Sequence, residues 1–262
     1  MPKDILSLPF PPAGARIAYG SDPNQFFELR VPALDTKTKV PYPLVVNIHG
    51  GYWRARYDLN HAGHLCAALT SRGIATANLE YRRVGNEGGG WPGTFADVHA
   101  AYNFLCRNLD QYEVDSRRVL IMGHSAGGQL ALCLAAHEPR IHTIISLAGV
   151  VNLRRAYDLH LSDDAVVEFL GGSPGAVAER YGEADPMQLS VGGVLQVLFH
   201  GSVDEEVPPD FSRDYVAAKR RAGEQKENVR LVEIRGAGHF DLIDPRAAAW
   251  KQVEHAVLQL LR

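Results

Sequence analysis

Cysteine is scarce in this chain. Cys66, Cys106 and Cys133 are the three thiols in 262 residues, an odd number with no Cys-x-x-Cys pair. Their scarcity excludes a disulfide framework and a zinc ribbon. All three lie in segments that read as helix, which suits buried free thiols in a reducing, cytoplasmic setting. Long apolar runs are also missing, and none approaches the ~18–20 residues a membrane helix needs. Nor does one charge dominate. Lys and Arg number 27 against 30 Asp and Glu, a net charge of −3. Nothing in that balance calls for a nucleic acid or an anionic membrane. The first twelve residues hold one Lys but no apolar core and no small-residue cleavage site, so they do not read as a signal peptide. Internal repeats and low-complexity tracts are absent too.

What is present alternates. Residues 1–14 read as an irregular arm. Two short strands follow, Ala15–Tyr19 and Gln25–Val31, separated by turn residues Gly20 to Asn24. A connection runs from Val31 to Pro43. Apolar, β-rich runs then recur at Leu44–Ile48, Ile74–Tyr81, Val119–Met122, Thr143–Ala148, Leu195–His200 and Val229–Ile234. Between and after them lie helix-like segments: Asp58–Arg72, Thr94–Leu109, Ala126–His137, Asp210–Arg221 and Pro245–Leu261. The segment Thr94–Leu109 carries Phe95, Val98, Ala101, Tyr102 and Leu105 at helical spacing. Continuous apolar strands alternating with helices predict a mostly parallel sheet of eight strands, covered on both faces. One interval breaks the rhythm. Residues 149–193 hold no strong strand, and a structureless loop of about 45 residues is improbable. They read as a small cap insertion with short helices near Asp163–Leu170 and Pro174–Tyr181, within a single domain spanning 1–262.

The strongest chemical signal is Gly123-His124-Ser125-Ala126-Gly127. It matches G-x-S-x-G with a strand entering and a helix leaving. The Ser must sit on a strained turn to expose its hydroxyl, and the close approach of strand and helix leaves no room for a Cβ on either side. A serine hydroxyl near neutral pH needs a base held by a third group. Both partners should follow later strands, in the order acid then His. Asp204 and His239 sit four or five residues beyond Leu195–His200 and Val229–Ile234, where an open α/β sheet builds its site. Glu205 and Glu206 compete for the acid role. His255 is the other histidine beyond Asp204, but it falls inside the last helix. Asp241 and Asp244 lie too close to His239 in sequence to be preferred.

His49-Gly50-Gly51-Tyr52-Trp53 directly follows Leu44–Ile48. In this pattern Ala126 offers one oxyanion-binding N–H and Gly50 or Gly51 the other. His49 reads as a loop-ordering residue. Trp53 either lines the acyl pocket or packs, and Trp91, in Gly88-Gly89-Gly90-Trp91-Pro92, is placed near the site rim by a mobile loop. Tyr52, Trp53 and Trp91 are therefore the candidate substrate-binding residues. His61, His64 and Cys66 lack a further partner at metal-ligand spacing and read as packing or surface groups. Arg82 and Arg83 read as structural partners of Glu80 or Asp97. No metal and no cofactor is expected.

Taken together these motifs resemble the α/β-hydrolase family over nearly the whole chain. The His-Gly-Gly and Gly-His-Ser-Ala-Gly-Gly motifs are similar to those of small carboxylesterases, including feruloyl-esterase-like members. His49–Trp53 is also similar to the His-Gly-Gly-x-Trp motif of kynurenine formamidases. The resemblance implies an α/β-hydrolase fold and hydrolysis of a small carboxylic ester, or alternatively an arylformamide, through an acyl-enzyme. Tyr52 stands where the fuller glycine motif has a third Gly, and the chain lacks a long segment before its first strand. Both favour small, open-site relatives over lipid esterases. A non-catalytic binding module of the same fold is the alternative from another class, and it sits poorly with a complete set of Ser, Asp and His. The expected partner is a small-molecule ester or amide, and the expected assembly a monomer or homodimer.

Overall fold

A computed structural model describes residues 5–12, 14–33 and 41–262. Much of the expected connection from Val31 to Pro43, and part of the N-terminal arm, lie outside the described residues.

The eight strands form one sheet: β1 (Ala15–Ala18), β2 (Phe26–Arg30), β3 (Tyr42–Ile48), β4 (Ala75–Leu79), β5 (Val114–His124), β6 (Thr143–Leu147), β7 (Leu195–Gly201) and β8 (Val229–Ile234). Their order across the sheet is β1-β2-β4-β3-β5-β6-β7-β8. The β1–β2 hairpin is antiparallel, and β2 joins β4 antiparallel. Every pairing from β4 through β3 to β8 is parallel. The turn between β1 and β2 works as expected, with Asp22 Oδ1 accepting the Asn24 N–H at 2.8 Å.

The central strands are mostly apolar because helices cover both faces, and two polar residues buried among them, Asn47 and Asn78, bond to each other at 2.8 Å. One face packs against α2 (Gly93–Asn108), α3 (Ala126–His137) and α7 (Asp210–Arg221) through Val98, Leu130 and Phe211. The opposite face packs against α1 (Gly63–Ser71) and α8 (Trp250–Leu260) through Leu65, Leu69, Trp250 and Val253. The loops after β3, β5, β7 and β8 gather at the carboxyl edge, where such sheets place their ligands.

Several boundaries differ from expectation, among them β5, which runs from Val114 to His124 rather than from Val119 to Met122. The Asp58–Arg72 segment opens as a 3-10 turn, Leu59–Ala62, capped by the Asp58 carboxylate, before α1 begins. The last helix starts at Trp250 rather than Pro245, because the Asp244 side chain takes the Arg246 N–H at 2.9 Å in a turn of its own. The insertion holds three helices rather than two: α4 (Leu153–Asp158), α5 (Leu161–Leu170) and α6 (Ala178–Ala184). Asn152 caps α4 by accepting the Arg155 N–H at 2.8 Å. Within α5, Ser162, Asp163 and Asp164 take left-handed φ values of 51°, 52° and 58°, so its first turn is not a regular helix.

Candidate active site

Ser125 lies between the end of β5 and the start of α3, with φ 57° and ψ −120°. This is a costly conformation for a residue with a side chain, and neighbours hold it in place. Its N–H donates to the Leu147 carbonyl at the end of β6, at 2.8 Å, and its carbonyl accepts from Gly128 and Val150. The flanking glycines are dictated by contact. A Cβ on Gly123 would lie 2.1 Å from the Gly127 carbonyl oxygen, and one on Gly127 would lie 2.0 Å from the Ile48 oxygen. Ala126, as the first residue of α3, has an N–H with no intrahelical partner.

The loop after β7 carries Asp204, buried, while Glu205 and Glu206 point to solvent. The loop after β8 brings His239 to it, and Nδ1 lies 2.7 Å from Asp204 Oδ2. The other carboxylate oxygen accepts the Glu206 and Val207 N–H groups, each at 2.9 Å. His200, missed by sequence reasoning, approaches Asp204 Oδ2 at 3.4 Å through Nε2. Burial opposes ionisation of Asp204. The hydrogen bonds from His200 and His239, the His239 charge and the Val207 N–H outweigh it and hold the carboxyl well below its usual range. Asp241 and Asp244 are engaged elsewhere, with Gly238 N and Arg246. His255 is exposed on α8.

The loop after β3 runs alongside Ser125. A Cβ on Gly50 would lie 2.9 Å from the His124 carbonyl and 3.0 Å from Ser125 Cβ, so only bare backbone fits. Among the described residues the N–H groups of Gly50 and Gly51 find no protein acceptor. His49 orders this loop from beneath. Its Nδ1 lies 2.7 Å from the Gly50 carbonyl and its Nε2 3.1 Å from Glu80 Oε1. Tyr81 stacks on the ring at 4.4 Å and donates its hydroxyl to the His49 carbonyl. Arg83 pairs with Glu80 at 2.5 Å, and Arg82 with Asp97 at 2.7 Å.

The three aromatic candidates fare differently. Tyr52 spans two loops, donating its hydroxyl to the Glu206 carbonyl at 3.0 Å. Trp53 is 1% exposed. Its indole N–H is taken by Gln129 at 2.9 Å, and its ring stacks on Phe169 of the cap at 4.4 Å. Trp91 stacks on Phe95, donates to Glu183 and meets Phe169 edge-on. Both tryptophans pack against the 149–193 insertion, through Phe169. His61, weighed above with His64 and Cys66, is buried with its Nε2 2.7 Å from His124 Nδ1. Among the described residues no three metal-ligating side chains cluster, and no helix is long and apolar enough to cross a membrane.

A mostly parallel sheet, a strained serine between strand and helix, and a buried Asp–His pair on the loops after β7 and β8 define the molecule as an α/β-hydrolase by fold. The BD-FAE family pattern matches residues 33–218. The chain therefore belongs to the BD-FAE family, an α/β-hydrolase esterase family. It is 27% identical over 249 residues to isoprenylcysteine alpha-carbonyl methylesterase ICME of Arabidopsis thaliana, covering 86% of this chain and 56% of that protein. It is 26% identical over 249 residues to esterase LipC of Mycobacterium tuberculosis, covering 87% and 60%. The chain thus spans little more than half the length of these curated relatives. In fold it is similar to Thermogutta terrifontis esterase 2 phosphoramylated by tabun, with a TM-score of 0.74 at 21% identity, over 95% of this chain and 94% of that one.

Proposed function

We propose that the protein hydrolyses small carboxylic esters through a covalent acyl-serine. The observation that carries this reading is the Asp204–His239 pair, bonded at 2.7 Å on the loops after β7 and β8, at the same sheet edge as the strained, buried Ser125. In the proposed reaction His239 takes the Ser125 proton as Oγ attacks the ester carbonyl. Asp204 fixes the His239 tautomer and offsets the imidazolium charge. The Ala126 N–H, with Gly50 or Gly51, binds the oxyanion. His239 then protonates the leaving alcohol, and the same base activates water to release the acid and free Ser125. The family and its esterase relatives support the ester. The three unpaired thiols support a cytoplasmic setting.

An arylformamidase reading rests on Tyr52 and Trp53 in the His49–Trp53 motif. Both have their polar groups occupied by protein, Tyr52 by Glu206 and Trp53 by Gln129. They add no free donor for a formamide, so the ester reading is preferred. Assays of p-nitrophenyl acetate and N-formylkynurenine side by side decide the pair. We expect turnover of the ester, and its loss by at least about 10³-fold in Ser125→Ala with the fold intact by circular dichroism. Undiminished hydrolysis by that variant would remove Ser125 from the mechanism. An intact wild-type protein that no fluorophosphonate labels would point to a binding module instead.

A further inference from the structure

Two buried histidines lie under the site, and the mechanism above does not use them. His124 precedes Ser125 and is fully buried at the end of β5. His61 comes from the 3-10 turn that precedes α1. His124 Nε2 lies 3.1 Å from the carbonyl oxygen of His239. A carbonyl only accepts, so this nitrogen carries hydrogen. A neutral His124 is then bare at Nδ1, which must accept from His61 Nε2 at 2.7 Å. His61 in turn is left bare at Nδ1, the buried atom that finds no hydrogen-bond partner. The two tautomers are thus determined in series. Both rings disfavour charge. Burial pushes the His124 imidazole well below its ordinary range, with His239 and His61 adding to the effect. Burial likewise lowers His61 to about 3, helped by His49 and His239.

The pair touches three of the four chemical loops, those after β3, β5 and β8. The His124 ring lies 4.5 Å from the His239 ring, centroid to centroid, and also packs on Phe240. A Cβ on Gly50 would lie 3.1 Å from His61 Nε2, so the oxyanion loop rests on the same pair. We propose that His61 and His124 are positioning residues: a directed chain, His61 N–H to His124 N–H to the His239 carbonyl, sets where the His239 imidazole stands relative to Ser125 and Gly50. This rests on the serine-hydrolase reading above. Their neutrality matters, because a charged His124 would place a cation against the His239 ring as it takes up its own proton.

The test compares His61→Phe and His124→Phe with His61→Gln and His124→Gln. Phenylalanine keeps the bulk and removes the chain. Glutamine restores a donor near the Nε2 position. We expect kcat to fall about 10- to 100-fold in the phenylalanine variants with KM within about twofold, and most of it to return with glutamine. Fluorophosphonate labelling of Ser125 should slow in step. Labelling reads the activated serine without assuming the right ester, so a wrong substrate does not imitate a wrong positioning role. Equal loss in phenylalanine and glutamine variants, or no loss in either, overturns the proposal. If the phenylalanine variants do not fold, nitrogen-15 histidine spectra of the Ser125→Ala protein decide. Nε2–H tautomers for both rings, unchanged from pH 5 to 9, uphold it; an Nδ1–H on either ring overturns it.

Discussion

Asp204 takes the His239 Nδ1–H and the Val207 and Glu206 N–H groups at 2.7, 2.9 and 2.9 Å, and His200 Nε2 stands 3.4 Å away. Only a carboxylate satisfies all of them, since an amide offers one acceptor oxygen and a nitrogen that donates. In Asp204→Asn the amide oxygen would keep the backbone N–H groups. Its nitrogen would then face His239 Nδ1 and His200 Nε2, donor against donor. Relief requires the His239 proton to move to Nε2, and the ring stops being a base toward Ser125. We expect kcat to fall by about 10³- to 10⁴-fold with little change in KM, measured in steady state on a p-nitrophenyl ester. A loss below tenfold would mean that His239 is held by something other than Asp204. At this scale the sequence was informative about where Ser125, Asp204 and His239 stand, past the ends of β5, β7 and β8, because strand ends and motif order constrain them. It gave no hint of the partners of His200, His61 and His124. Their partners lie 4, 63 and 115 residues away in the chain, and no local pattern announces that.

Among the elements, the sheet was legible because its buried strands are largely apolar runs, such as Leu44 to Ile48, where Asn47 is the one polar residue and all five positions are buried. The cap was not. The left-handed turn Ser162–Asp164 has no glycine to signal it. Arg54, two residues past Tyr52, stabilises it from afar. Its Nε donates to Glu168 at 2.7 Å, and its other nitrogens reach Ser162 Oγ at 3.3 Å and the Asp163 carbonyl at 3.1 Å. The same loop therefore carries the glycines proposed to bind the oxyanion and the tie to the 149–193 insertion. Glu168 is part exposed, so the ion pair contributes little by itself, about 0–1 kcal/mol. The Asp163 bond matters more, because it holds an unfavourable backbone. Arg54→Ala should leave the eight-stranded sheet intact and speed amide exchange across residues 161–170 by about tenfold. KM should rise several-fold while kcat stays within about threefold. Unchanged exchange in that segment would show the turn is held by its own contacts, chiefly Phe169 on Trp53.

For the whole molecule, composition signalled an ordinary near-neutral chain, yet the fold gives it an asymmetric response to acid. His61 and His124 are neutral when folded, with depressed pKa values, and ordinary near 6.5 when unfolded. Above pH ~7 both states leave these rings unprotonated, and the groups do not make stability depend on pH. Below 6.5 the unfolded chain binds protons that the folded chain refuses. Stability then declines by up to about 1.4 kcal/mol per pH unit for each ring, continuing toward pH 3 for His61. Asp204 adds its own loss below pH ~4, since its folded pKa is also depressed and only the unfolded carboxylate protonates readily there. Urea unfolding at pH 7 and pH 5 should therefore differ by about 2–4 kcal/mol, beyond what the exposed groups supply. His61→Gln, which cannot titrate, should remove about half of that difference whatever it does to activity. Equal unfolding free energies at the two pH values would mean that the rings take up protons inside the fold. The chain His61–His124–His239 could not then be the neutral, directed one described here.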